Sequence, residues 1–172
     1  MSGETSRFAI CTAASQATWD NWEPCLLSLF EAGVDSIDMI GLSDEDLPQS
    51  LREAAMAGRL TTSAHWLDSV NALAPTVDRF WLVTAPVIVP RDLAQNADRF
   101  LDQDPRVAAV AFWSNAAGAL SFPHWCGPTQ YPSPGVSAED TTARLRQGAS
   151  EGAVPICLPW GALHCVSKDV LN

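Results

Sequence analysis

Three groups of residues in this chain are of types that could do chemistry. The first is Thr84-Ala85-Pro86, which interrupts an otherwise apolar run from Phe80 to Val89. A hydroxyl at the end of a buried strand can bond a phosphate oxygen, and it can equally close a turn. The second is His124, Cys126, Cys157, His164 and Cys165. These types suit zinc, but no C-x-x-C pair is present and the thiols lie in apolar runs where cysteine acts as a small hydrophobe. The third is Asp44-Glu45-Asp46, which reads as a helix start favoured by the dipole, with a metal cluster as the alternative. No G-x-S-x-G elbow is present, and three histidines outside any motif do not make a triad.

These groups need a scaffold, and composition says one is affordable. The chain has 172 residues, 47% hydrophobic and 17% charged, enough for one ordered domain with its own core. Its formal net charge of −10 repels phosphate backbones and anionic membrane surfaces, so nucleic acid is not an expected partner. The first residues lack a basic stretch followed by an apolar one, and no run of about 18 apolar residues occurs, so neither a signal peptide nor a membrane span is expected. Five irregularly spaced cysteines suggest reduced thiols and a cytoplasmic protein.

Apolar runs and helix-period segments alternate. Strands are expected at Arg7–Thr12, Ser36–Leu42, Leu60–Ser63, Arg79–Thr84 and Arg106–Trp113. Between them, helical spacing covers Trp19–Ala32, Leu47–Ala57, Trp66–Leu73 and Arg91–Asp102. The alternation predicts an α/β domain, a mostly parallel twisted sheet with helices on both faces and ligand loops at the C-terminal strand ends. Ser114–Val136 is a Pro-rich excursion, Ser137–Gln147 a helix opened by a capping box, and Val154–Leu158 and Ala162–Ser167 are closing strands. Trp19, Trp22, Trp81 and Trp113 fall on elements expected to be buried. Trp125, in the Pro-rich loop, is the candidate for stacking on a sugar. Trp160-Gly161 either lines an acceptor groove or packs over a turn.

The order of short motifs resembles family 2 glycosyltransferases of the GT-A fold. Phe8–Thr12 is similar to the first strand, Cys25-Leu26-Leu27-Ser28-Leu29 to the "cl.SL" helix, and Ser69–Leu73 to the "A.N.G" helix. Phe80–Leu93 resembles the metal strand, Asp104–Ala108 the "dp.va" turn, Ser114–Ala117 with Ser121–Pro123 the "SN.a…yP" segment, and Leu158–Leu171 the strand past the sugar site. The resemblance implies one GT-A-like domain over 1–172. Within it, 1–113 is the nucleotide-binding half, 114–136 the loop and 137–172 the start of the acceptor side.

It further implies a sugar nucleotide contacted by Thr12, Ala13, Gly41, Ser43, Asn71, Thr84 and Pro86, with Trp125, Trp160 and Gly161 on the acceptor side. The acceptor would be a glycan or lipid-linked molecule, which would bring the protein to the membrane periphery. A second copy or a partner transferase is a further implied partner. Two family features are replaced: Gly41 stands near the nucleoside-binding aspartate, and Pro86 stands where an aspartate would hold Mg²⁺ or Mn²⁺. Such an ion wants hard oxygen ligands, so a cation is implied only for a functional site and no metal ligand is assigned. The general base would lie beyond Lys168 and is not found before Asn172, so no catalytic residue is assigned. The alternative is a GT-A scaffold without catalysis, used for glycan binding or assembly.

Overall fold

The computed structural model describes residues 5–65, 67, 70, 76–112, 140, 143, 147 and 161–168. The strands are β1 (Arg7–Thr12), β2 (Ser36–Ile40), β3 (Leu60–Ser63), β4 (Arg79–Val83), β5 (Ala109–Ala111) and β6 (Leu163–Ser167). The helices are α1 (Trp19–Glu31), α2 (Gln49–Met56) and α3 (Leu93–Gln103). Leu67 and Val70 are helical, as are Asp140, Ala143 and Gln147, within the two helices expected there. Asn71, Trp113, the 114–136 loop with Trp125, the Val154–Leu158 strand and Trp160 lie outside the described residues.

The α/β class holds, but the sheet is mixed rather than mostly parallel. Its order is β3-β2-β1-β4-β6-β5. The first four strands are mutually parallel, whereas β6 runs antiparallel to both β4 and β5. Strand direction depends on the connection that delivers the strand, and an apolar run reads the same in either sense. Several expected elements also shorten, β2 ending at Ile40 rather than Leu42. β5 keeps only Ala109–Ala111 of the Arg106–Trp113 run, because Asp104 and Arg106 close a turn in which the Asp104 carboxylate accepts from the Arg106 N–H at 2.9 Å. The acidic triplet forms its own 3₁₀ turn, Asp44–Asp46, capped by the Ser43 hydroxyl, and α2 begins after Pro48. α3 starts at Leu93, after a turn in which its N–H bonds the Pro90 carbonyl at 3.0 Å.

The central strands are buried on both faces. On one, Ala9, Cys11, Ile37, Met39, Trp81, Val83 and Cys165 meet α1 through Trp22, Leu26 and Leu29, α2 through Leu51, and α3 through Leu93, Ala97 and Leu101. On the other, Phe8, Ile10, Ile40, Phe80 and Val166 cluster with Val77 and partly buried Val70. Burying each large side chain contributes about 1.5–3 kcal/mol, so α1, with Trp19, Trp22, Cys25, Leu26 and Leu29 all buried, is the main cover of its face. The expectation that Trp19, Trp22 and Trp81 are core residues holds.

Charge gathers at the N-terminal strand edge. Arg7 and Arg79, the first residues of β1 and β4, both reach Asp98 of α3. Arg7 Nη2 lies 2.6 Å from Asp98 Oδ2; Arg79 Nε lies 3.4 Å from Oδ1, in ion-pair range but without hydrogen-bond alignment. Arg79 also pairs with Asp102, one turn further along α3. Beside them, the Asp78 carboxylate accepts from the Ser6 N–H (3.0 Å), the Ser6 hydroxyl (3.0 Å) and Lys168 Nζ (2.8 Å). Those bonds, Lys168 foremost, hold the Asp78 carboxyl down at about 2.

A folded-state pKa below the unfolded value of about 3.9 means that stabilisation is complete above that pH and lost as protons bind on the way down. Wild type is therefore expected to exceed Asp78→Asn in stability by on the order of 1 kcal/mol near neutrality, a partly exposed pair being screened by solvent. The gap should close between about pH 4 and pH 2, as measured by urea denaturation across that range.

Candidate functional site

In an open α/β sheet the crevice for a ligand forms where strand order reverses, at the C-terminal strand ends. Here the chain adds β2 and β3 on one side of β1 and β4 on the other, so the reversal lies between β1 and β4. Register brings Thr12 beside Ile40 and one residue past the Cys11–Val83 pair, which sets Thr12 next to Thr84. In-register residues point to one face of a sheet. The two threonines thus stand at the ends of adjacent strands, whose backbones lie about 4.8 Å apart, both residues exposed. On the far side, the Thr84 N–H bonds the Ala162 carbonyl at 2.9 Å, which carries the β4–β6 ladder to Ala162, next to Gly161. The fold therefore gathers Thr12, Ala13, Thr84 and Gly161 at one mouth, with Gly41 and Ser43 at the neighbouring end of β2.

Gly41 has a structural job in place of the carboxylate. Its φ is +89°, and a Cβ added there would lie 3.2 Å from the Ala13 carbonyl oxygen and 3.6 Å from the Ala13 Cβ. The Ala13 N–H in turn bonds the Ile40 carbonyl at 2.9 Å, so the ends of β1 and β2 are closed against each other. Ser43 is occupied as well: its hydroxyl accepts from the Glu45 N–H, and its carbonyl accepts from Trp19 Nε1 at 2.8 Å. Asp44 turns to Thr62 of β3, whose hydroxyl donates to it.

Pro86 lies in an extended strap, 84–90, laid along α1. The Val87 N–H donates to the Cys25 thiol and the Val89 N–H to the Ser28 hydroxyl at 3.2 Å, and Arg91 Nε reaches Glu31 Oε2 at 3.2 Å. Cys25, Ser28 and Glu31 recur every three residues, so one stripe of the helix holds the whole strap. Sequence reasoning noticed Cys25 and Ser28 only as part of a motif. Their role as anchors shows in the cys-x-x-ser spacing once the strap is known to pass over it.

Among the described residues the β1–β4 crevice itself carries no charged side chain, the nearest acid being the Asp44–Asp46 turn that follows Ser43. The segments leaving the strand ends, 12–18, 41–43, 84–90 and 161–162, contain no charged side chain. Arg7, Arg79 and Lys168 sit at the opposite edge, each bound to an aspartate. Among the described residues no group of three or more His, Cys, Asp or Glu could hold a metal ion. The zinc alternative loses one pair directly: Cys165 points into the α1-side core while adjacent His164 faces the other side of the sheet. His124, Cys126 and Cys157 lie outside the described residues. Nor are the buried thiols nucleophiles. Burial pushes Cys11 well up, Cys25 to about 11 against the pull of the Val87 N–H, and Cys165 higher than its ordinary value. The arrangement offers neutral hydrogen bonds to a ligand and no described base, nucleophile or cation.

No family model and no curated protein matches the chain.

Two substitutions test how this mouth is held. Gly41→Ala should cost about 1–3 kcal/mol, the range for a side chain forced into a positive-φ position, read as a fall in melting temperature. Ser28→Ala removes the acceptor of the Val89 N–H and should cost about 1 kcal/mol, with faster hydrogen exchange at Val89 than at strand amides of β4.

Proposed function

We propose that this chain is a sugar-nucleotide-binding domain of the glycosyltransferase kind, built on a GT-A-like sheet. One observation carries the reading: the order reversal between β1 and β4 sets Thr12 and Thr84 side by side at an open strand edge, the place where such sheets take nucleotides. The motif order along the chain supports it, as does the glycine-containing turn at Gly161 (φ +115°), where β6 enters the same edge. The donor would lie across β1 and β4 with its diphosphate over the two hydroxyls, and a glycan or lipid-linked acceptor would approach from the β6 side. Transfer would then require a base and a cation supplied from outside the described residues.

The uncharged crevice favours a second reading, a GT-A scaffold without catalysis that serves assembly or glycan recognition. A diphosphate needs a compensating charge, and the 84–90 strap with Pro86 supplies none.

Melting curves with UDP, GDP and dTDP, each with and without Mn²⁺ or Mg²⁺, separate the two. A ligand at a hundred times its dissociation constant stabilises by about 2.7 kcal/mol, so a rise of several degrees with one nucleotide is expected on the first reading. Flat curves throughout leave only the second. Pro86→Asp, which restores a carboxylate on the strap, should create or strengthen metal-dependent nucleotide binding. No change in that variant means the strap does not face the diphosphate.

A further inference from the structure

The other end of the sheet carries a feature that the nucleotide reading does not use. β3 is an outermost strand, paired to β2 alone among the described residues. The Ile37 N–H bonds the Arg59 carbonyl at 2.7 Å, which fixes the phase of the ladder. In parallel pairing, alternate residues turn their amide groups to the same neighbour. Arg59, Thr61 and Ser63 therefore face β2, and the N–H and C=O groups of Leu60 and Thr62 face outward. Beside that edge runs a half-open groove of about 340 Å³ lined by Asp44, Leu47, Ala55, Leu60, Thr61 and Thr62. Two large apolar side chains flank it in sequence: Met56, 89% exposed, just before β3, and Leu67, 53% exposed, just after.

Charge is distributed unevenly along this edge. At the Ser63 end stand Asp44, Glu45 and Asp46, all exposed and outside any ion pair among the described residues, with Asp44 tied to Thr62. At the Leu60 end stands exposed Arg59. Its guanidinium rests 4.6 Å from the Phe30 ring centroid and bonds the carbonyls of Val34 and Asp35, with no carboxylate partner among the described residues. An edge with acid at one end and an unneutralised arginine at the other complements itself when turned end for end.

We propose that β3 is a dimerisation edge, on which a second copy of this chain pairs its own β3 antiparallel about a two-fold axis. Leu60 of each copy then faces Thr62 of the other across a two-fold axis at Thr61, so their outward backbone groups exchange hydrogen bonds, and the acidic turn of each copy meets Arg59 of its partner. Isologous pairing of this kind joins the two sheets into one continuous sheet. The exposed Met56 and Leu67 are covered in the same contact. The proposal is separate from the nucleotide site, which lies at β1 and β4.

Sedimentation velocity and light scattering of the full chain provide the test. Wild type should associate reversibly to a dimer. Thr62→Pro removes an outward N–H without touching the β2 ladder and should sediment as a monomer with an unchanged circular dichroism spectrum. Should that variant fail to fold, charge reversal decides. Glu45→Arg should weaken dimerisation at least tenfold, and adding Arg59→Glu to it should restore affinity, a rescue that a purely structural role for either residue would not give. A wild-type monomer up to millimolar concentration overturns the proposal. So does a dimer whose affinity ignores Thr62→Pro and the charge variants alike.

Discussion

The whole structure depends on β1 and β4 lying side by side with both faces dry. Ala9, Cys11, Trp81 and Val83 look one way, Phe8, Ile10 and Phe80 the other, and all are nearly inaccessible to water. Strands buried on both faces cannot slip register without moving large apolar groups into neighbours that already fill the space. The edge-to-face contact of the Phe8 and Phe80 rings, 6.3 Å between centroids at 77°, locks the pair on one face. The stacking of Trp81 on Phe112, at 5.6 Å and 15°, braces β4 on the other. Everything that meets at the mouth, Thr12 against Thr84 above all, inherits its position from that register.

At the base of the same strands, Arg7 and Arg79 share one carboxylate, and all three side chains are less than a fifth exposed. Two cations on one aspartate leave a positive excess, which Asp102 offsets from the next turn of α3. Such a cluster is weak evidence for net stability, because desolvation opposes the attraction, but losing one member would strand the others. Its effect here is orientational: α3 is fixed over the β1–β4 seam, with Ala97 and Leu101 set into the core below.

Much of this was legible in the sequence. The five leading strands, α1 with its buried stripe and the buried tryptophans could be read because period and composition report burial directly. Direction could not: β6 is an apolar run like any other, and only its partner Leu82–His164 register reveals that it runs backwards. The acidic triplet looked like the start of α2 because a 3₁₀ turn and a helix N-terminus favour the same residues. The site was half legible. Thr84 and Thr12 could be picked as strand ends, yet their adjacency depends on strand order. Gly41 looked like a lost ligand, whereas its positive φ and the closeness of Ala13 show a position that suits a residue without a side chain.

The stripe of Cys25, Ser28 and Glu31 that fastens the 84–90 segment has a mechanical consequence. A segment held to α1 at Val87 and Val89, with the Arg91–Glu31 ion pair just past its end, is braced against folding down over a guest. Whatever enters the β1–β4 crevice must find its wall already standing on that side, and any enclosing movement has to come from the opposite flank.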